Sequence, residues 1–384
     1  MRPERHRVLV VGGEFSYLVR FRGPLLRALV AAGHEVTVAT PDAEPTPSPL
    51  APIGVAYRRV SLRPTGMNPW RDVSDLVAMV TWLRRLRPTT VFAYGAKAAI
   101  ISLGAATFAR VERRYAMLPG LGFAFVDDGR RSFARTMARA AQISLYWLVL
   151  RRCRRVIFHN RDDRDELVQR RIVAHERTAV VAGSGVDLQQ FQPSQVPTSP
   201  VRFLFVGRLL RSKGVEELAL AARALRTAIP SAEVHLVGAV DANPDHVDTA
   251  LLDAASARGD IICHGHVADV RPHLQRCSAL VLPSYREGLP RSALEALASG
   301  RTAIVSDVPG CREVVRIGHH GALVPARDPA ALAQALIAYA SDPPRLVREG
   351  QAARRTSERD FDVDMVTITM MRLLGFNGSE RGSA

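Results

Sequence analysis

The sequence predicts an α/β protein of two Rossmann-like, doubly wound domains, and three observations carry that reading. The chain has 384 residues, more than one small domain needs and a suitable length for two. Short apolar strand runs alternate with helical stretches, and the whole pattern occurs twice. Between the two occurrences, residues 183–200 are rich in Gly, Gln, Pro and Ser and lose all apolar periodicity. These features place a first domain at 1–187, a linker at 188–200 and a second domain at 201–360.

In the first half, Val8-Leu9-Val10-Val11 runs into Gly12-Gly13, a buried strand closed by a turn, which opens a loop at Glu14–Arg20. Further strand runs stand at Val36–Ala39, Val91–Tyr94, Val156–His159 and Ala179–Ala182, with helices such as Phe21–Ala32 and Val73–Leu86 between them. In the second half the strand runs are Val201–Val206, Glu233–Val237, Ile261–His264, Ala279–Leu282, Ala303–Val305 and Ala322–Val324. Helices Val215–Ala228 and Pro329–Ala340 lie among them. Strands joined by helices form parallel sheets, and two such domains place a ligand cleft between them, at the carboxyl ends of both sheets.

Composition excludes several classes. At 47% hydrophobic and 23% charged residues the chain can bury cores and is not disordered. Four scattered cysteines make no disulfide framework and suit a reducing cytoplasm. The apolar run at residues 8–11 is too short for a signal-peptide core. Apolar uncharged stretches such as Ala98–Ala109 and Ala140–Leu150 fall short of the ~18 residues of a spanning helix, so the expectation is a soluble or surface-bound protein.

The net charge of +15 is uneven. Residues 1–200 hold 30 Lys+Arg against 16 Asp+Glu, +14, whereas residues 201–384 hold 22 against 21, +1. One half is cationic, as expected where only that half faces an anionic partner. Arg130–Arg155 carries eight arginines and no acid, with Arg131, Arg135 and Arg139 at helical spacing and Tyr146-Trp147 nearby. A basic helix with aromatic residues suits an anionic bilayer surface, and a solvated basic face is the plainer reading. With no zinc finger or interleaved aromatic platform, a nucleic-acid partner is not expected.

The most specific stretch is Leu280–Gly300. Pro290 suits the start of a helix and pushes Leu289 into an extended conformation, so Glu287 and Gly288 fall in a turn after a buried strand. Arg291–Ser299 then form a helix that stops at Gly300, with Glu295 on its second turn. The start of such a helix favours an anion, and two carboxylates beside it can accept hydrogen bonds from sugar hydroxyls. A neighbouring strand runs through Gly207 into Arg208 and Lys213, two cations placed to meet a diphosphate. Alone, each reads as solvated charge on a loop; together, in two adjacent strand–helix units, they read as one site.

These residues resemble the retaining family-four glycosyltransferases of GT-B fold. The similar pieces are G-R-L-x3-K-G at Gly207–Gly214, S-x-x-E-G-L-P at Ser284–Pro290, and the Glu287/Glu295 pair followed by A-x-A-x-G. Others are Gly265-His266-Val267, Gly183-Ser184-Gly185-Val186-Asp187 and Leu323-Val324-Pro325 with Asp328-Pro329. The resemblance implies a nucleotide-diphosphate sugar donor in the second domain. Arg208 and Lys213 would hold its diphosphate, Glu287 its sugar and Glu295 its ribose, while Gly288 and Leu289 offer backbone amides. It also implies no bound metal and no cofactor, the two cations taking that role. A helix at about 361–376, with Met365, Ile368, Met371 and Leu374, is expected to pack back on the first domain. Residues 377–384 are expected to be disordered.

Cys263, His264, His266, His273 and Cys277 invite a zinc reading, but their spacing fits no usual structural pattern, and a set of satisfied polar residues is expected instead. In the first half, Tyr94-Gly95-Ala96-Lys97 and Leu118–Phe125 are similar to stretches, Y-T-x-K-P and T-G-L-G-Y-A-F, of enzymes that extend polyprenyl-diphosphate-linked saccharides. Gly95, Ala98 and Pro119 depart from that pattern. The resemblance implies acceptor contacts at Gly12, Gly13, Lys97, Gly120 and Gly122.

The reading is therefore a bacterial, metal-independent, retaining transferase moving a sugar from a UDP-sugar to an undecaprenyl-diphosphate-linked glycan, in surface polysaccharide or N-glycan precursor synthesis. It would sit on the cytoplasmic face of the plasma membrane. The alternatives are a glycosyltransferase with a soluble small-molecule acceptor and a non-catalytic basic binding protein.

Overall fold

The computed structural model describes residues 5–62, 69–121, 125, 133–240 and 245–376. The chain divides into two compact units, residues 1–184 with 364–384, and residues 185–363.

The first unit holds a seven-stranded sheet of β1 (Arg7–Gly12), β2 (Glu35–Thr40), β3 (Ala56–Arg59), β4 (Thr90–Tyr94), β5 (Arg113–Leu118), β6 (Arg155–Phe158) and β7 (Thr178–Val180), in the order β3-β2-β1-β4-β5-β6-β7. Every neighbouring pair is parallel. The apolar runs are continuous because both faces are covered. Leu9, Val11, Val91, Ala93, Ala116 and Leu118 face helices Pro69–Leu86, Ala96–Phe108 and Phe133–Leu150. Val8, Val10, Phe92, Tyr115 and Met117 face helix Phe15–Ala31 and the carboxyl-terminal helix Val363–Leu373.

Helix Phe15–Ala31 begins earlier than its sequence pattern suggests and replaces the expected loop at Glu14–Arg20. The amide of Phe15 donates to Asp42 Oδ2 at 2.7 Å, which satisfies one open donor of the first turn, and the helix continues through Pro24. The last helix buries Val366, Met370 and Met371, followed by Leu374 and Phe376, whereas Met365 and Ile368 are exposed. Arg113 fixes that end by donating to the carbonyls of Leu374 and Gly375 at 2.9 and 3.0 Å.

The second unit holds a six-stranded parallel sheet of β8 (Arg202–Val206), β9 (Glu233–Val237), β10 (Ile262–Cys263), β11 (Ala279–Leu282), β12 (Thr302–Ser306) and β13 (Gly321–Val324), in the order β10-β9-β8-β11-β12-β13. Residues 188–200, expected as a linker, belong to this unit. Phe191 and Val196 are buried, and the fully buried Arg301 donates to the carbonyls of Ser194 and Gln195 at 2.8 and 3.2 Å. The chain enters and leaves the unit side by side: Val186 pairs with Asp362, and a Cβ on Gly185 would come within 2.6 Å of Val363 Cα.

No helix among the described residues is long and apolar enough to cross a membrane.

Candidate functional site

In an open parallel sheet, the loops after two neighbouring strands part in opposite directions where the strand order reverses, and ligands bind there. In the second unit that point lies between β8 and β11. The two motifs singled out in the sequence are the loops that follow these two strands.

After β8 the chain passes Gly207 and the exposed Arg208, then forms a short 3-10 turn, Arg211–Lys213. Gly214 closes the turn with φ +68 and starts helix Val215–Ala228; a Cβ there would lie 2.1 Å from Pro283 O. Only glycine lets the two loops meet this closely. They are further tied by the Tyr285 amide, which donates to Ser212 O at 2.8 Å. After β11, Pro290 caps helix Arg291–Ala298 with extended backbone, leaving residues 284–289 as the turn before its positive end. This turn rests on Gly310 (φ +81), whose Cβ would lie 2.5 Å from both Glu287 O and Gly288 O. The Glu287 amide donates to Pro309 O at 3.3 Å.

The geometry brings Lys213 and Glu287 together. Lys213 Nζ donates to Glu287 Oε1 at 2.5 Å, with side chains 22% and 13% exposed. Beneath them, burial and then the Glu287 carboxylate push the Cys311 thiol well above its usual range. Glu295 lies deeper and is ion-paired with Arg291 Nε at 2.8 Å, one helical turn back. Gly288 and Leu289 are half-buried in the turn itself. The sequence reading did not single out Tyr285 for a role. Its hydroxyl donates to Glu217 Oε1 at 2.6 Å and Arg327 lies over its ring at 4.5 Å, so it braces the turn from the β8 side. Burial, then the bond to Glu217, raise its pKa.

Of the histidines in the discarded zinc reading, His264 meets His235 and His273. His235 Nδ1 lies 2.9 Å from His264 Nε2, and His264 packs edge-on against His273 at 4.7 Å. The buried Cys277 thiol donates to Leu274 O, and burial raises its pKa to about 12. Among the described residues no group of three ligand side chains is arranged to hold a metal ion.

In the first unit the strand order reverses between β1 and β4, where Gly12 stands opposite Tyr94. Gly13, Gly95 and Gly120 follow β1, β4 and β5, and a Cβ on any of them would meet open space. Lys97, on the first turn of helix Ala96–Phe108, pairs with Asp72 at 3.1 Å. Gly122 and Arg131 lie outside the described residues. Arg139, expected to face a membrane, pairs with Glu166 at 3.3 Å. Among the described side chains of helix Phe133–Leu150, the large apolar residues Met137, Leu145, Trp147 and Leu148 are exposed, with Arg151 stacked on Trp147 at 3.9 Å.

The comparisons with known proteins agree with this geometry. The family described as Glycosyltransferase Family 4 matches residues 24–190, and the family described as Glycosyl transferases group 1 matches residues 200–342. The N,N'-diacetylbacillosaminyl-diphospho-undecaprenol alpha-1,3-N-acetylgalactosaminyltransferase of Campylobacter jejuni is 28% identical over 317 residues, covering 79% of this chain and 81% of that one. A glycogen synthase of Mycobacterium tuberculosis is 31% identical over 204 residues, covering 52% of this chain and 49% of that one. The structure of Anabaena HepE in complex with UDP-glucose superposes with a TM-score of 0.76 at 16% identity, covering 97% of this chain and all of that one. With two parallel doubly wound units and both halves matched, the chain belongs to the family-four glycosyltransferases of GT-B fold.

Proposed function

We propose that the chain moves a sugar from a UDP-sugar to an undecaprenyl-diphosphate-linked glycan, retaining the anomeric configuration. The observation that carries the donor half of this reading is the Lys213–Glu287 pair, held at the strand-order reversal of the second unit by turns that tolerate only glycine at positions 214 and 310. Lys213 exchanges Glu287 for the donor diphosphate, and Arg208 adds a second cation. The released Glu287 accepts from the sugar hydroxyls, and Glu295 accepts from the ribose. As the C1–oxygen bond to the diphosphate breaks, the acceptor hydroxyl oxygen bonds to C1 on the same face, and its proton passes to the departing phosphate oxygen. The main demand on the protein is then to stabilise charge on the leaving group, which two fixed cations do without a bound cofactor.

The acceptor half draws support from the Campylobacter relative, named for a diphospho-undecaprenol substrate, and the donor from the UDP-glucose held by the Anabaena protein. It also draws support from the exposed Leu145, Trp147 and Leu148 beside Arg151 and Arg152, an apolar and cationic face suited to an anionic leaflet. The enzyme in this reading is peripheral, on the cytoplasmic side of the plasma membrane.

The test incubates the purified chain with UDP-glucose, UDP-N-acetylglucosamine or UDP-N-acetylgalactosamine and an undecaprenyl-diphosphate-linked saccharide. An elongated lipid-linked product with an α-glycosidic bond supports the reading. Transfer only to soluble sugars, or an inverted anomer, overturns it.

A further inference from the structure

Arg22 is 2% exposed, and among the described residues no carboxylate pairs with it. It lies on helix Phe15–Ala31, beneath the strand-order reversal of the first unit. Its Nη1 donates to Gly183 O at 3.3 Å, its Nη2 lies 3.1 Å from His159 Nε2, and its Cζ stands 4.6 Å from the centre of the Tyr94 ring. Its Nε is buried without a hydrogen-bond partner. A guanidinium only donates, so His159 Nε2 must accept and the ring is neutral, with its proton on Nδ1. Burial, then Arg22, hold His159 well below the usual imidazole range, in agreement with that assignment.

The positive charge is thus offset by one carbonyl, one nitrogen lone pair and one ring face. Desolvating a cation with so little compensation is costly, and the cost falls when an anion arrives. The surroundings leave room for one. Gly13, Gly95 and Gly120 close three adjacent strands, β1, β4 and β5, and have open space where side chains would stand, so a ligand can approach the backbone there. Tyr17, stacked on Tyr94 at 6.0 Å, is 45% exposed, so on that side the cluster lies one ring below the surface.

We propose that Arg22, with His159 and Tyr94, forms a diphosphate seat in the first unit, which takes the diphosphate of the lipid-linked acceptor. The identity of that ligand rests on the acceptor reading above; the anion seat itself rests on Arg22.

The test uses the full chain with saturating UDP, so that the cations of the second unit are already engaged. Inorganic pyrophosphate, geranyl diphosphate and geraniol are titrated by calorimetry into the wild type, Arg22→Gln and Gly13→Asp. The second variant sets a carboxylate in the open space of the rim, without disturbing the buried cluster. Both diphosphates should bind the wild type and geraniol should not. Each variant should weaken diphosphate binding at least roughly tenfold, the scale of a lost charge-assisted contact, with UDP affinity unchanged. A folded Arg22→Gln that binds diphosphates like the wild type overturns the proposal, as does a wild type that binds neither diphosphate. Should Arg22→Gln fail to fold, unchanged binding by Gly13→Asp overturns it alone. Geranyl diphosphate binding tighter than pyrophosphate marks a lipid-linked source, and equal binding marks a free anion. Arg22-dependent binding without sugar transfer to lipid leaves the seat standing and removes the acceptor reading. Transfer to lipid with an unchanged acceptor KM in Gly13→Asp does the reverse.

Discussion

Replacing Glu287 by glutamine should tighten the binding of UDP while slowing sugar transfer. Lys213 Nζ lies 2.5 Å from Glu287 Oε1, and both side chains are mostly buried, at 22% and 13% exposure. A hydrogen bond between charged groups contributes about 1.5–3 kcal/mol. Partial exposure screens such a pair toward about 1 kcal/mol. A diphosphate that reaches Lys213 must displace this carboxylate. Removing the carboxylate's charge therefore favours UDP by about 1 kcal/mol, about fivefold in Kd. The glutamine should not disturb the fold, because the turn is held through the backbone: the Glu287 amide donates to Pro309 O and Gly310 packs under its carbonyl. Turnover with a UDP-sugar should nevertheless fall, since the group meant to accept from the sugar has lost its charge. Lys213→Ala should act in the opposite sense on binding, weakening UDP about tenfold through the lost charge-assisted contact. Calorimetry with UDP on both variants, beside their melting curves, gives the comparison. If a folded Glu287→Gln binds UDP no better than the wild type, or both variants shift UDP affinity the same way, the exchange of partners at Lys213 is wrong.

Gly310→Ala should lower turnover and melting temperature together, because its Cβ would press on the carbonyls of Glu287 and Gly288 at 2.5 Å in a positive-φ turn; wild-type values for both would show that the turn is not held from below. Glu295→Ala should raise the Kd of UDP more than that of UDP lacking its ribose hydroxyls, whereas an equal rise would place Glu295 in the fold and not at the ribose. Burial is the first cause holding His34, His159, His264, His273 and His320 below the usual imidazole value, so below about pH 6.5 the unfolded chain binds more protons than the folded one and stability rises with pH through that window. Melting should therefore be lower at pH 5.5 than at 7.5, less so in His159→Gln, and a flat profile would refute the linkage. Replacing Trp147 and Leu148 by serine and Arg151 by glutamine should release the protein from anionic vesicles, and added salt should weaken the wild type's attachment, while an unchanged pellet would remove the membrane face.

How much the sequence discloses depends on how far apart the interacting residues lie. The turns after β8 and β11 are legible because their chemistry is local: Gly207 directly after β8, and after β11 a proline that sets where helix Arg291–Ala298 begins. That both units are parallel, doubly wound sheets follows from two runs of alternating strands and helices, whereas the strand order comes from the structure. By contrast, β3 and β5 escape the pattern because each carries a pair of arginines, Arg58-Arg59 on an edge strand and Arg113-Arg114 at an entry, where an apolar run is expected. The last helix shows a different failure. Its apolar residues fit two overlapping stripes, and only packing against β1 and its neighbours selects Val366, Met370 and Met371 over Met365 and Ile368. Partnerships of charge are the least legible of all. Lys213 and Glu287 are 74 residues apart, and Arg22 and His159 are 137 apart, so no spacing rule joins them. The sequence shows where the cations stand along the chain, but it cannot say whether one waits with an internal carboxylate, as Lys213 does, or without one among the described residues, as Arg22 does. That difference sets what each asks of a ligand. Lys213 must give up a partner before it can bind a diphosphate, so its affinity is reduced in advance; Arg22 gives up only a carbonyl and a neutral ring, so an anion arriving there meets no competing charge.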